Sequence, residues 1–192
     1  RPITSGEVSS KAALILFVGL VLVAFILVLL TNTLTIQLSF VAIALASLYP
    51  FTKRWTNLPQ LVLGLAFGMS VPMAFSAQTG TISSSAVWIY LATIVWTLIY
   101  DTLYAMADRD EDLKIGVKST AILFQKYDRI VITFLQILLI ILFIKIGNIF
   151  NLEVFYDLSL IIILIFMVYH QLLIKKGTKT DYFKAFINNH YI

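Results

Sequence analysis

Six apolar runs dominate the chain, at residues 12–30, 34–50, 58–77, 86–107, 130–147 and 156–174. Each reaches or approaches the roughly 20 residues that an α-helix needs to cross the hydrocarbon core of a bilayer, within a usable range of about 17–25. The expected architecture is all-α, a polytopic transmembrane helical bundle whose six spans form one membrane domain over residues 1–192. Composition agrees: 60% of the residues are hydrophobic and 12% charged, against about 45–50% and about 25% in soluble domains. A soluble globule is excluded. With no cysteine in the chain, so are disulfides, thiolate catalysis and zinc–thiolate sites.

The second run is short and follows the first across only Thr31, Asn32 and Thr33. Charge decides that this is a hairpin and not one long helix. Lys and Arg in short loops prefer the cytoplasmic side. With six spans, thirteen of the fourteen basic residues fall on one side, in the N-terminal stretch (Arg1, Lys11), the loop with Lys53 and Arg54, the segment 108–129 and the tail (Lys175, Lys176, Lys179, Lys184). Lys145 alone falls on the other. Both ends of the chain are thus expected on the cytoplasmic side, and the net charge of +4 reads as bilayer orientation, not nucleic-acid binding. Pro72 inside the third run predicts a kink, and Gly64 with Gly68 a close helix approach. The chain opens on Arg1 with no signal-peptide layout ahead of its first run, as a segment of a longer protein would.

Six of the ten acidic residues lie between positions 101 and 128. On one helix, at 100° per residue, Tyr104, Asp108 and Asp112 fall at about −60°, −20° and +20° from Asp101. Three carboxylates and a tyrosine share a stripe that starts at the membrane boundary, where an ionisable side chain is costly and implies an aqueous cavity or a bundle interior. Carboxylates stacked in this way repel each other unless a cation sits among them. Oxygen-only donors favour Mg²⁺, which binds through one or two carboxylates, waters and substrate phosphate. Asp110, Glu111 and Asp128 read instead as a solvated acidic loop neutralised by Arg109, Lys114 and Lys118. The sequel Lys114-Ile115-Gly116-Val117-Lys118-Ser119-Thr120 lacks phosphate-loop spacing. Lys118 suits either a diphosphate contact or a positive-inside anchor. His170, inside the last run, reads as a packing histidine.

Tyr100-Asp101-Thr102-x-Tyr104-Ala105-x-x-Asp108-Arg109-x-x-Asp112, followed by Lys114-Ile115-Gly116-Val117-Lys118-Ser119-Thr120-Ala121, closely resembles the second aspartate-rich motif of the UbiA superfamily of intramembrane prenyltransferases, and within it the branch that prenylates 4-hydroxybenzoate. Three further blocks agree: Arg1-Pro2-Ile3-x-x-Gly6, Tyr49-Pro50-x-Thr52-Lys53-Arg54 with Pro59-Gln60, and Phe183-Lys184-Ala185-Phe186 with Asn188-Asn189. The resemblance runs through the whole chain in order. It implies helices three to eight of a nine-helix enzyme, starting after the family's first aspartate-rich motif and stopping before its last helix, so a chain expected to be inactive alone.

The resemblance also implies roles. Asp108 and Asp112, with Asp101 in addition, would hold Mg²⁺ against the diphosphate of a polyprenyl donor. Lys118 and Arg1 would add positive charge there, and Arg54 would orient the acceptor carboxylate unless it is another membrane-side anchor. Tyr104 would stabilise a cation or orient a metal ligand, or be an interfacial aromatic. The implied reaction belongs to ubiquinone biosynthesis at a bacterial inner membrane, on its cytoplasmic face. The rivals are a menaquinone- or haem O-type acceptor, a cation-coupled transporter and a non-catalytic scaffold.

Overall fold

In the computed structural model, which describes residues 2–192, the apolar runs are helices and the order is α1 (Ser10–Leu29), α2 (Thr33–Trp55), α3 (Pro59–Gly68), α4 (Ser70–Thr79), α5 (Ser84–Ala107), α6 (Arg109–Ile115), α7 (Thr120–Phe124), α8 (Asp128–Phe150), α9 (Val154–Lys176) and α10 (Lys179–Asn188). Six helical segments are long and apolar enough to cross a membrane: α1, α2, α3 with α4, α5, the stretch from α7 through α8, and α9.

The hairpin between α1 and α2 forms where the Thr-Asn-Thr break predicts it. Asn32 caps α2 by accepting from the Thr35 N–H at 3.0 Å. Its amide also donates to the Ser76 carbonyl at 2.5 Å, and Thr35 and Ser76 share a hydroxyl hydrogen bond of 2.7 Å. These bonds fasten the hairpin to α4. α2 runs on past the expected stop at Pro50 to Trp55. Its last turn carries Lys53 and Arg54, where cations meet the negative end of the helix dipole. The third span is interrupted at Met69, three residues before Pro72, whose ring removes the donor that the Gly68 carbonyl would use.

α5 is the central strut, packed against α3, α8 and α10, with Ile99 and Leu103 fully buried along it and Ile132 and Leu139 facing it from α8. Gly64 and Gly68 supply the close approach of α3 to α5: a Cβ at Gly64 would lie 3.0 Å from the Ile94 carbonyl oxygen, and one at Gly68 2.8 Å from the Tyr90 ring. α1 touches little besides α2 and buries none of its residues. A helix apolar on all sides is at home in lipid.

Beyond residue 174 the chain does not stay at the basic end. α10 begins at the basic end, then lies along α5 and α9, burying Ala185. The following turn brings His190 and Ile192 into a crevice with Trp96, Phe143 and Tyr156, so the chain's last residue lies away from the basic end. The physical reason is the spacing of Tyr182, Ala185, Phe186 and Asn189, which gives this short segment one buried face despite its lysines.

Gly64→Leu should destabilise the bundle by about 1–3 kcal/mol, the usual cost of overpacking, because a backbone carbonyl closes the space. Gly19→Leu, with no atom within 4 Å of the added carbon, should be neutral. Thermal unfolding of the two variants in one detergent separates them.

Candidate active site

The acidic stripe bends where a straight helix was expected. Asp108 lies between α5 and α6 with φ −100° and ψ 6°. The hydrogen-bond register nonetheless continues through it: Asp108 N–H donates to the Tyr104 carbonyl (3.2 Å), and Asp112 N–H to the Asp108 carbonyl (2.9 Å). Asp101 and Asp112 lie within electrostatic reach of each other, as do Asp108 and Asp112. Among the described residues no three acidic or histidine side chains close to a metal-ligating distance. The stripe is therefore an open row of hard oxygen donors.

α6 ends at Gly116, whose φ of +69° is a left-handed conformation that glycine adopts without strain. The reversed chain then docks on two other elements. Lys118 N–H donates to the Lys53 carbonyl (2.8 Å) and the Lys118 ammonium to the Trp55 carbonyl (3.2 Å). Thr120 N–H donates to Gln60 Oε1 (3.0 Å), and Thr120 and Thr102 share a hydroxyl hydrogen bond of 2.8 Å. Ser119 caps α7 and also bonds the Asp112 carboxylate. The Lys-Ser-Thr sequel thus ties the acidic turn to the end of α2 and the start of α3, with Gln60, Thr102, Ser119 and Thr120 all buried.

Among the described residues, the cation closest in effect to this arrangement is Lys53. It acts on both Asp101 and Asp112, and Tyr49, one turn earlier on α2, faces Asp101, Asp112, Tyr100 and Tyr104. Arg54, the sequence candidate, is exposed in the same last turn. Tyr104 belongs to an aromatic wall, its ring 5.1 Å from Phe186 and 6.4 Å from Phe183 on α10. Arg1 lies outside the described residues. The signal for Lys53 and Tyr49 was their four-residue spacing, hidden because the run containing Tyr49 was expected to stop at Pro50.

The surrounding charges also differ from a solvated loop. Asp128 is 5% exposed and its carboxylate accepts from the Arg109 guanidinium, a pair that pins the residue after Asp108 to the start of α8. Glu111 pairs with Lys179 at 2.5 Å in an exposed bridge to α10, the kind worth little in stability. Asp110 is exposed. Burial raises Asp112 above the ordinary carboxylate range, and Lys53 and the Ser119 bond offset part of that rise.

The UbiA prenyltransferase family model matches residues 1–191. The chain belongs to the UbiA prenyltransferase family. Among its family relatives, it is 57% identical over all 192 residues to the 4-hydroxybenzoate octaprenyltransferase of Vesicomyosocius okutanii subsp. Calyptogena okutanii (strain HA), covering 70% of that protein. It is 53% identical over 192 residues to the enzyme of the same name from Pseudoalteromonas translucida (strain TAC 125), covering 66% of it. The chain thus spans about two thirds of the length of these relatives. In fold it matches the apo structure of a UbiA homolog from Aeropyrum pernix K1, with TM-score 0.82 and 23% identity over 100% of this chain and 73% of that one. It also matches a structure of digeranylgeranylglyceryl phosphate synthase, with TM-score 0.69 and 22% identity over 99% of this chain and 68% of that one.

The raised Asp112 has a testable sign. The folded chain holds this proton more tightly than the unfolded chain, so Asp112 contributes stability as pH falls through its raised value and loses it as pH rises. Metal-free Asp112→Asn should therefore melt at or above wild type at pH 7.5, and the difference should shrink toward pH 4. A melting temperature clearly below wild type at pH 7.5 would show that the ionised carboxylate stabilises the fold.

Proposed function

We propose that this family member transfers a polyprenyl group from polyprenyl diphosphate to 4-hydroxybenzoate, with Mg²⁺, at the basic face of the membrane. The observation that carries the reading is the convergence of the acidic turn, the Lys53–Arg54 end of α2 and the Lys118 loop at one end of the bundle. The names and identities of the relatives support the acceptor. A transporter using these carboxylates as a cation site would carry them near mid-membrane, whereas Asp108 and Asp112 follow the end of α5.

The residues fit Mg²⁺ by their chemistry: oxygen donors only, with Asp112 buried and bonded to Ser119, in an open row that leaves room for waters and phosphate. Asp108 and Asp112, with Asp101, would hold the ion, which when bound neutralises charge growing on the departing diphosphate. Lys118, and by the family resemblance Arg1, would add further positive charge to that leaving group. As the bond from the allylic carbon to the diphosphate oxygen breaks, that carbon gains cation character beside the aromatic wall of Tyr100, Tyr104 and Phe186. The ring carbon meta to the acceptor carboxylate forms the new carbon–carbon bond, and its proton leaves to restore aromaticity. Arg54 orients the acceptor by pairing with its carboxylate, and the apolar helices keep water from the cation. By the distribution of Lys and Arg, the reacting end faces the cytoplasm of a bacterial inner membrane.

The test is prenylation of labelled 4-hydroxybenzoate by the natural protein in lipid nanodiscs. Activity should vanish with EDTA and return with Mg²⁺. Asp108→Asn should lower kcat by about 100-fold or more, the scale of losing one group that stabilises transition-state charge. Arg54→Ala should raise KM for 4-hydroxybenzoate about 10–100-fold, as loss of a charged hydrogen bond does, with little change in the donor KM. Full turnover by Asp108→Asn would remove the assigned metal role.

A further inference from the structure

Gln60 has no part in the reaction as described above, yet it is one of the most deeply buried polar side chains in the protein, 1% exposed on the first turn of α3. Burial of an amide costs several kcal/mol unless its donors and acceptor are used. Its orientation is determined by its neighbour. Thr120 N–H can only donate, so the atom facing it at 3.0 Å is Oε1, and the amide nitrogen is turned to other partners. Thr120 is held by its hydroxyl to Thr102, the residue after Asp101. These two bonds bring the Gln60 amide to the level of Asp101, whose carboxylate lies within its reach. The ionised carboxylate only accepts and the amide nitrogen only donates, so the pair is complementary.

We propose that Gln60 is a positioning residue for Asp101: its amide nitrogen holds the carboxylate in one orientation toward the metal, and its oxygen holds the Lys118-Ser119-Thr120 loop in register with it. A single side chain thereby links the metal-ligating row to the loop on the diphosphate side. Carboxylate ligands are commonly fixed by such outer partners, whose loss costs about 10–100-fold in metal affinity or activity. The inference rests on the prenyltransferase reading in taking Asp101 as a metal ligand.

The experiment is a Mn²⁺ titration of the natural full-length protein without substrates, followed by electron paramagnetic resonance, together with the Mg²⁺ concentration that half-activates prenylation. Gln60→Met removes the bond from Thr120 N–H and the amide that faces Asp101, at nearly constant volume. It should raise the Mn²⁺ Kd and the Mg²⁺ requirement about 10–100-fold, leaving KM for 4-hydroxybenzoate within about twofold. Gln60→Asn retains an amide but is one methylene too short to reach both partners, and should shift the Kd the same way even if the Met variant folds poorly. Thr120→Val removes only the hydroxyl pair with Thr102 and keeps the N–H bonded to Gln60, so it should lower thermal stability and shift the Kd clearly less than either Gln60 variant. Unchanged Mn²⁺ affinity in both Gln60 variants would overturn the proposal, as would an equal loss in Thr120→Val. A wild-type protein that shows the Gln60-dependent Mn²⁺ affinity but transfers no prenyl group would support the positioning role while overturning the proposed function.

Discussion

A carboxylate at the end of a membrane-spanning helix is costly unless opposite charge and hydrogen bonds compensate it, and the basic end of this bundle is organised around that cost. Asp101 and Asp112 lie near each other and near Lys53. Gln60 stands beside Asp101 and Ser119 beside Asp112 as neutral polar neighbours. Arg109, which would otherwise neutralise the row, is drawn aside by the buried Asp128. The result is an acidic row with part of its repulsion unrelieved, a state that a divalent cation would improve under the proposed function.

The rest of the fold holds that row in place. α5 carries Asp101 and is gripped by α3 through Gly64 and Gly68, by α8 through an aliphatic seam, and by α10 through aromatic rings. The Lys118 loop then stitches the far side of the row to α2 and α3 with backbone and hydroxyl bonds. The bonds among Gln60, Thr102 and Thr120 are buried, where water competes little with them. Rigid placement of charge is what electrostatic catalysis requires.

The spans, the α1–α2 hairpin, the Gly64–Gly68 approach and the acidic stripe were legible in the sequence because each rests on local pattern: run length, a polar break, small-residue spacing and helical period. What was not legible depended on partners distant in the chain. Asp128 looks like any loop carboxylate until Arg109, 19 residues away, is seen beside it. Lys53 and Arg54 are indistinguishable by type, and only the continuation of α2 past Pro50 decides which of them faces the carboxylates. The bend at Asp108 is invisible to a helical wheel, which assumes a straight axis. α10 was hidden by its charges: Lys179 and Lys184 were counted with the basic tail, while Ala185 and Phe186 supplied the buried face.

The central claim is that the hard-oxygen row at the basic end is where a divalent cation binds. Because these 192 residues hold no cysteine, a single nitroxide label, with any cysteine elsewhere in the protein replaced, can be placed at exposed Asn57, just beyond α2, or at exposed Asn151, at the opposite end of α8. With Mn²⁺ bound, the label at 57 should lie close enough for strong paramagnetic broadening. The label at 151 should show almost none, since the 23 residues of α8 separate the two ends by roughly 34 Å at 1.5 Å per residue. Broadening at 151, or at neither position under saturating Mn²⁺, would contradict the account.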